Sequence, residues 1–312
     1  MDNILRIEGL TKEYENVVAL NNIYLEMQKG TIFGLLGPNG AGKTSLIRIL
    51  TGITLPDKGK FTLEYTENKD FDSLSRMIGY LPEERGLYPD MKVYEQLDFI
   101  GQIKGLNKTE IKEKLNYWGD KMGVSQWFKK KAQELSKGMQ QMVQFVATVF
   151  YDPSLIILDE PFTGLDPINT NKIKKEIIEL KNQGKTIIFS THRMEQVEEI
   201  CVDIALINKG NIVLKGNLEE IKNSFKKNIF KVVYEGTLSE NKDYEFDIID
   251  TNDSYLIIKD KDIANTSPNS LLKKIMQYVD IHSFVEILPT LNEIFIEQVE
   301  KISEDLKGGN NE

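Results

Sequence analysis

The chain has 312 residues, of which 40% are hydrophobic, and its 48 acidic side chains outnumber its 39 basic ones to give a net charge of -9. This length suits one large or two smaller globular domains, and the lack of a basic excess argues against binding to a nucleic-acid backbone. The apolar runs fall short of the roughly 18 residues of a membrane-spanning helix, and one cysteine with two histidines excludes an internal disulfide and a Cys/His zinc site. Residues 1–10 lack the apolar segment of a secretory signal, so we expect a cytoplasmic protein.

Up to about residue 216 the chain alternates short aliphatic runs with helical patterns, which is typical of an α/β domain around a mainly parallel sheet. We therefore predict an α/β fold over residues 1–216. Three helical stretches interrupt the strand pattern and predict a helical subdomain over about residues 93–150, inserted between two halves of the sheet. The predicted strands are Ile4–Glu8, Ile23–Met27, Thr31–Leu36, Phe61–Leu63, Met77–Leu81, Leu155–Asp159, Thr186–Ser190, Ile204–Asn208 and Asn211–Lys215, and the helices of the insert are Val93–Lys104, Lys108–Lys121 and Lys137–Phe150.

Beyond residue 216 the pattern changes to that of a small α+β domain, which we place at residues 217–306. The last residues, 307–312, are polar and are predicted to form a disordered tail. Most of the excess negative charge of the chain lies in this last part. The predicted elements are helices at Leu218–Phe225, Leu271–Val279 and Leu291–Ile302, and strands at Phe230–Tyr234, Tyr244–Ile249 and Tyr255–Ile258.

A glycine-rich motif follows the predicted strand Thr31–Leu36 and precedes a predicted helix at Thr44–Leu50. Its spacing, G-x-x-x-x-G-K-T, is that of a phosphate-binding loop, in which consecutive backbone N–H groups and the helix N-terminus face phosphate oxygens. The lysine would neutralise the β- and γ-phosphates, and the threonine hydroxyl would bind Mg²⁺. The candidate nucleotide-binding residues are Gly37, Pro38, Asn39, Gly40, Ala41, Gly42, Lys43, Thr44 and Ser45.

Two carboxylates, Asp159 and Glu160, follow the fully apolar run Leu155–Leu158. A phosphate-binding loop needs an acidic partner at the end of a strand to hold its metal ion, and Asp159 is the candidate for that role. Glu160, one residue further along, would act as a general base toward the water that attacks the γ-phosphate. The two motifs together indicate hydrolysis of a nucleoside triphosphate.

A third motif, Leu135–Met139, lies between these two and reads LSKGM, and the set of motifs resembles that of the ATP-binding subunits of ABC transporters. The resemblance covers residues 4–216, with the motifs in the family's order and spacing. It implies a P-loop NTPase core in which the LSKGM segment is the signature that contacts the γ-phosphate held by a second subunit, through Ser136, Lys137, Gly138 and Met139. It also implies an adenine-stacking ring at Tyr14, a Q-loop residue that reaches Mg²⁺ at Glu83, a D-loop link between the two sites at Asp166 and a γ-phosphate contact at His192.

The chain departs from the common pattern of this family at three positions. Lys137 and Met139 replace the first Gly and the Gln of an LSGGQ signature, and Glu83 stands where the Q-loop usually has Gln. The Ser and the second Gly, which would carry the phosphate contacts, are retained, so we expect activity to persist. With these departures and the segment Leu288–Phe295, the chain resembles an export-type subgroup of the family that includes sodium-extrusion and antibiotic-resistance ATPases.

The resemblance implies a subunit that binds and hydrolyses ATP with Mg²⁺, pairs with a second ATPase subunit, and drives export of sodium or a drug-like substrate through a transmembrane permease on a separate chain. That permease would hold it on the inner face of the cell membrane, and nucleic acid is not an expected partner. Two alternatives are a non-transport ABC ATPase that acts on ribosomes or nucleic acid, and an inactive subunit of a heterodimer, which would normally lack Glu160 or His192. Either local packing or a groove for a permease helix would account for the apolar residues after the Q-loop, Leu87, Tyr88, Met91, Val93, Tyr94 and Leu97.

Overall fold

The structure is a computed structural model that describes residues 3–63, 76–84, 86–236, 244–252, 254–261 and 267–308, with side chains as far as residue 301. The chain forms two compact units, Met1–Leu218 and Glu219–Glu312. Within the described ranges, no helix has the length and apolar character needed to span a bilayer.

The strands of the first unit form two sheets. Its described strands are β1 (Asn3–Tyr14), β2 (Val17–Gln28), β3 (Ile32–Leu36), β4 (Lys58–Leu63), β5 (Ile78–Leu81), β6 (Leu155–Asp159), β7 (Thr186–Thr191), β8 (Asp203–Asn208) and β9 (Asn211–Asn217). Six of them form one sheet in the order β5-β6-β7-β3-β8-β9, in which all neighbours are parallel except the hairpin of β8 and β9. The strands β3, β6 and β7 are buried along their whole length, as unbroken aliphatic runs predict for a sheet covered on both faces.

A second, antiparallel sheet has the order β2-β1-β4. The α/β prediction is confirmed, and the strands β1, β2 and β4 form this separate antiparallel sheet in addition to the mainly parallel one. Two of them are also longer than predicted, since β1 and β2 have 12 residues each. Register shifts interrupt their pairing near Gly9 and Asn22, which have φ of 63° and 52°. Such bulges let two strands continue across residues that break the alternation of polar and apolar side chains, which is why the sequence pattern stopped early.

The described helices of the first unit fall into those that flank the parallel sheet and those of the insert. They are α1 (Lys43–Leu50), α2 (Val93–Ile103), α3 (Lys108–Met122), α4 (Lys137–Val149), α5 (Pro167–Asn182) and α6 (Met194–Ile200). Helix α1 buries Leu46, Ile47, Ile49 and Leu50 in a core that also contains side chains of both sheets. The helices α2, α3 and α4 follow β5 in the chain, pack on one another and precede β6.

The second unit is an antiparallel sheet with helices. Its elements are β10 (Ile229–Glu235), β11 (Phe246–Thr251), β12 (Tyr255–Asp260), α8 (Pro268–Ile275), β13 (Asp280–Ile287) and α9 (Leu291–Gly308), and α7 (Leu218–Ser224) begins at the last residue of the first unit. The strand order is β11-β12-β10-β13, and Leu271 and Ile275 of α8 join the core side chains of the sheet.

The elements of this unit differ from the prediction at four points. The strand β13 lies where the sequence predicts only a connection between two helices. Its sequence pattern is polar, through Asp280, His282, Ser283 and Glu286. The helix predicted to reach Val279 ends at Ile275, and the strand predicted at Tyr244–Ile249 lies two residues later. The last helix continues to Gly308, so the tail predicted from residue 307 begins inside it, and residues 309–312 lie outside the described part of the chain.

Candidate functional site

The glycine-rich loop connects the buried strand β3 to helix α1, which is the context that its sequence predicted. Gly37 and Gly42 have φ of 148° and 115°, in the region that favours glycine. A Cβ atom would lie 2.1 Å from the carbonyl oxygen of Ile207 at Gly37 and 2.4 Å from that of Ala19 at Gly42. The loop therefore follows its path only because these two residues have no side chain.

Lys43 begins α1, and its side chain folds back over the loop. Its Nζ donates to the carbonyl oxygen of Gly37 at 2.7 Å and to that of Pro38 at 3.1 Å. Burial lowers the pKa of this ammonium group, while the nearby carboxylates of Glu160 and Asp159 act in the opposite direction. The cation is thus held inside the loop beside two negative charges.

Asp159 is the last residue of β6 and is buried. Its Oδ1 accepts a hydrogen bond from the Ser190 hydroxyl on the neighbouring strand β7 at 2.7 Å. Its Oδ2 is also buried but has no hydrogen-bond partner among the described residues. Burial raises the pKa of this carboxyl, the bond from Ser190 opposes that rise, and the charges of Glu83 and Glu160 add to it.

Glu160 follows at a φ of 50° and is held by three contacts with the end of β7. Its Oε2 accepts from the Thr191 hydroxyl at 3.0 Å, and its Oε1 accepts from the backbone N–H of His192 at 2.8 Å. The Nδ1 atom of His192 lies 2.6 Å from the same Oε1. The sequence assigned no role to Ser190 or Thr191, although hydroxyl residues at the carboxyl end of a strand beside β6 were a signal for such contacts.

The glycine-rich loop, Asp159 and Glu160 line a cavity of about 300 Å³ at the carboxyl ends of the parallel strands. It brings together most of the predicted loop residues and the predicted acidic groups, and Val17 and Ala19 of β2 complete its wall. Within the described ranges, no group of three His, Cys, Asp or Glu side chains is placed to hold a metal ion. The predicted residues that line the cavity are Asn39, Gly40, Ala41, Gly42, Lys43, Thr44, Ser45, Glu83, Asp159 and Glu160.

Other predicted site residues lie outside the lining of this cavity. Tyr14 ends β1, is 39% exposed, and pairs with Val17 across the hairpin of β1 and β2. Asp166 caps α5 by accepting from the backbone N–H groups of Ile168 and Asn169. The hydrogen bonds from Asn169, and after them the one from Ile168, lower the pKa of this carboxyl, and desolvation acts against them.

The signature residues stand at the start of α4, also outside the cavity lining. Ser136 caps the helix, and its Oγ accepts from the backbone N–H of Met139 at 3.3 Å. Ser136 and Lys137 are exposed, and Met139 is half-buried. A Cβ atom on Gly138 would lie 3.0 Å from the carbonyl oxygen of Gly164, in the segment after Glu160. The signature therefore presents polar groups to the surface while its glycine packs closely on the neighbouring loop.

The apolar residues after Glu83 divide into two groups. Val93 and Leu97 are fully buried in the core, whereas Tyr88 and Tyr94 are 59% and 39% exposed. A separate cavity of about 300 Å³ lies between this segment, the strand β5 and the helices α2 and α4. Its lining includes Ile53, Tyr80, Leu87, Ile100, Lys104 and Tyr151.

Comparison with protein families gives two matches. Residues 20–163 match the model described as ABC transporter, and residues 216–299 match that of the C-terminal domain of DrrA1-3-like ATP-binding proteins. The ABC transporter match includes the cavity residues from Asn39 to Glu160. The DrrA1-3-like match covers most of the second unit.

Three curated relatives and one solved structure agree with these matches. The uncharacterized ABC transporter ATP-binding protein YhaQ of Bacillus subtilis is 38% identical over 309 residues, which cover 96% of this chain and 100% of the relative. The ABC transporter ATP-binding protein NatA of the same organism is 34% identical over 74% of this chain and 89% of its own length. The linearmycin resistance ATP-binding protein LnrL, also from Bacillus subtilis, is 33% identical over 70% of both chains.

The solved structure is that of an ATP-binding subunit of an ABC transporter, with a TM-score of 0.66 and 27% identity over 71% of this chain and 93% of that one. The family prediction is thereby confirmed, as is the resemblance to the export-type subgroup, since NatA, LnrL and the DrrA1-3-like domain are all matched. A glycine-rich loop, two strand-end carboxylates and similarity along nearly the whole chain lead to the same conclusion: this chain belongs to the ATP-binding proteins of ABC transporters.

Proposed function

We propose that this chain binds Mg-ATP in the cavity between the glycine-rich loop and β6, hydrolyses it with Glu160 as the base, and thereby powers export through a separate membrane permease. ATP hydrolysis is the activity of its family. The observation that carries the site assignment is the convergence of Lys43, Asp159 and Glu160 on one cavity at the end of a parallel sheet. Ligands of such sheets bind at the carboxyl ends of the strands.

Lys43 and the loop backbone would bind the triphosphate. The N–H groups of the loop and of the first turn of α1 provide donors for phosphate oxygens, and the helix N-terminus favours negative charge. The two carbonyl oxygens that now accept from Nζ would give way to β- and γ-phosphate oxygens, which carry full negative charge. Tyr14, exposed at the tip of the neighbouring hairpin, would stack on the adenine ring.

The residues present fit a magnesium ion. The buried Oδ2 of Asp159, without a protein partner in the described structure, is an oxygen ligand of the kind that Mg²⁺ prefers, and Thr44 and Glu83 line the same cavity. These three residues would hold the ion, directly or through water, beside the phosphates. When bound, the ion would offset the charge of the phosphate oxygens. Ser190 contributes by fixing the orientation of the Asp159 carboxylate.

Glu160 would take a proton from the attacking water. Its carboxylate is oriented by the Thr191 hydroxyl and by the backbone N–H of His192, so little reorganisation is needed when the water arrives. The Nδ1 atom of His192 lies 2.6 Å from the same carboxylate, and the His192 side chain is 46% exposed. It would contact the γ-phosphate once the nucleotide is bound.

A second ATPase subunit would complete the site. Ser136, Lys137 and the N-terminus of α4 are exposed and lie outside the cavity of their own chain, so their phosphate contacts would be made to a nucleotide held by the partner. Asp166, in the segment between Glu160 and α5, would link the two sites. Two ATP molecules at such an interface favour the closed pair, and hydrolysis reopens it.

The permease partner would dock on the surface that follows the Q-loop residue. The cavity lined by Leu87, Ile100 and Lys104 and the exposed rings of Tyr88 and Tyr94 offer an apolar groove for a short helix. Binding there would attach the chain to the inner face of the membrane. Its similarity to a linearmycin resistance protein and to DrrA1-3-like proteins supports export as the direction of transport.

The experiment that tests the site compares Glu160→Gln and Lys43→Ala with two matched controls on exposed residues, Glu195→Gln and Lys175→Ala. Steady-state ATPase activity and ATP binding are measured on purified protein. We expect Glu160→Gln to lose nearly all turnover but to retain ATP and accumulate as a nucleotide-bound dimer, and Lys43→Ala to lose ATP binding. Ordinary turnover in the first variant or unchanged ATP affinity in the second would refute the assignment.

The second experiment tests the transport assignment. The tagged Glu160→Gln chain is purified with ATP from gently solubilised membranes, and the proteins that accompany it are identified by mass spectrometry. Recovery of a polytopic membrane protein in near-equal amount is expected. Recovery of ribosomal or nucleoid components alone would instead support a non-transport ABC ATPase.

A further inference from the structure

Asp57 forms a clamp on the end of strand β1. It lies just before β4, and its backbone N–H donates to the carbonyl oxygen of Thr11 at 2.9 Å. Its Oδ2 accepts from the backbone N–H of Glu13 at 2.6 Å, and its Oδ1 accepts from Lys12 Nζ at 3.1 Å. The carboxylate of Asp57 therefore bonds to Lys12 and Glu13, the two residues that precede Tyr14 at the end of β1.

Lys12 connects this clamp to the ring of Tyr14. Its side chain is only 12% exposed, and its Nζ lies 5.2 Å from the centroid of the Tyr14 ring, within the range of a cation–π contact. The same ammonium group is paired with Asp57. The position of the Tyr14 ring therefore depends on a lysine that is itself fixed by a carboxylate.

Two further observations support this dependence. The turn before β4 approaches β1 closely, because a Cβ on Gly59 would lie 2.3 Å from the carbonyl oxygen of Gly9, and Gly59 has a φ of 77°. The hydrogen bond from Glu13 and the contact with Lys12 lower the pKa of Asp57, so the carboxylate stays charged at neutral pH. Both features keep the clamp in one geometry.

We propose that Asp57 and Lys12 are positioning residues for the nucleobase, which hold the Tyr14 ring in the orientation that stacks on adenine. This inference rests on the proposed function, in which Tyr14 contacts the base. A ring at an exposed strand end loses side-chain conformational entropy when it stacks on a base. Fixing the ring in advance reduces this cost and raises nucleotide affinity without a contact to the phosphates. Tyr14 also pairs with Val17, which lines the phosphate cavity, so a fixed ring is fixed relative to that cavity.

The test separates binding of the base from binding of the phosphates. Calorimetry measures the affinity of each variant for ATP and for inorganic tripolyphosphate, which has no base to stack. Stacking of the base on an aromatic side chain contributes to ATP affinity, and a part of this contribution depends on the clamp. We therefore expect Lys12→Met and Asp57→Asn to weaken ATP binding by about 3- to 10-fold, with tripolyphosphate affinity changed less than about twofold.

A second lysine–aspartate pair provides matched controls. Lys185 and Asp152 are joined at 2.6 Å, with Lys185 17% exposed, and they precede β7 and β6 at the opposite end of the sheet from Asp159. Asn is accommodated at the φ of 67° that Asp152 adopts. We expect Lys185→Met and Asp152→Asn to leave both affinities unchanged.

Tyr14→Ala distinguishes a failure of the clamp proposal from a failure of the proposed adenine contact. If Tyr14→Ala weakens ATP binding while Lys12→Met and Asp57→Asn bind ATP as the wild type does, the clamp is refuted and the role of Tyr14 stands. If Tyr14→Ala binds ATP normally, the proposed adenine contact itself is wrong. An equal loss of ATP and tripolyphosphate affinity in the clamp variants would also refute the positioning role, because it would indicate a general distortion of the site.

Discussion

Thr191 allows a direct test of how Glu160 is positioned. Its side chain is fully buried, and its hydroxyl donates to Glu160 Oε2 at 3.0 Å. The Oγ1 atom of Thr191 also accepts from the backbone N–H of Arg193 at 3.1 Å. Thr191→Val keeps the shape of the side chain and removes both bonds. A hydrogen bond to a charged group contributes about 1.5 to 3 kcal/mol. If that energy orients the carboxylate during hydrolysis, kcat falls by about 10- to 100-fold, while KM for ATP changes little.

The assay is steady-state ATPase activity at saturating ATP, with the unfolding midpoint measured in parallel. Thr191→Ser keeps the hydroxyl and is expected to restore most of kcat. Thr186→Val is the matched control, because Thr186 lies on the same strand, is equally buried, and accepts from the backbone N–H of Gly30 at the far end from the site. A kcat loss of the same size in Thr186→Val, or none in Thr191→Val, would refute the positioning of Glu160 by this hydroxyl.

Three further predictions concern stability and loop geometry. Burial raises the pKa of Asp159, so the folded state gains stability as the pH falls from that raised value toward 3.8. Asp159→Asn removes the buried charge and should raise the unfolding midpoint, measured by calorimetry at pH 7, by about 2 to 4 °C. The midpoint difference between this variant and the wild type should be smaller in acid. Lys121→Met leaves the buried Glu176 without the cation at 2.8 Å and should lower the free energy of unfolding in urea by about 3 kcal/mol, and adding Glu176→Gln should recover most of it. Gly42→Ala should abolish binding of a fluorescent ATP analogue, because its Cβ would lie 2.4 Å from a carbonyl oxygen. Gly40→Ala meets nothing within 4 Å of its Cβ but is strained by a φ of 77°, so it should bind the analogue more weakly than the wild type and more strongly than Gly42→Ala; equal binding by the two variants would contradict this explanation.

Much of the cavity could be predicted because its parts are contiguous in sequence. The phosphate-binding loop needs glycines at fixed positions for its backbone, and the strand β6 needs an apolar run before Asp159, so both leave a local pattern. The parallel sheet then brings the ends of β3, β6 and β7 together, which follows from the topology of any such fold.

The remaining contacts join residues that are far apart in the chain and of ordinary types. Ser190 and Thr191 bond to carboxylates 31 residues away, and Asp57 bonds to the backbone of Glu13, 44 residues away. Serine, threonine and aspartate are common at strand ends and turns, so no local pattern distinguishes these from solvent-facing residues. The strand β13 was missed for a related reason, since its polar side chains hide an edge strand that only pairing with β10 reveals.

The charges that line the cavity of the proposed nucleotide site conflict with one another. One cation, Lys43, faces three carboxylates among the described lining residues, Glu83, Asp159 and Glu160, and burial disfavours the charged forms of both Lys43 and Asp159. A triphosphate alone would add negative charge to this excess, whereas a triphosphate that arrives with a divalent cation offsets it and gives Asp159 Oδ2 the partner that it lacks in the described structure. In the proposed function, these charges would favour a metal–nucleotide complex over the free nucleotide. Asp159 and Glu160 are each held by a residue of one strand, β7. In the proposed reaction, the cost of orienting them would therefore be met during folding and not at each turnover.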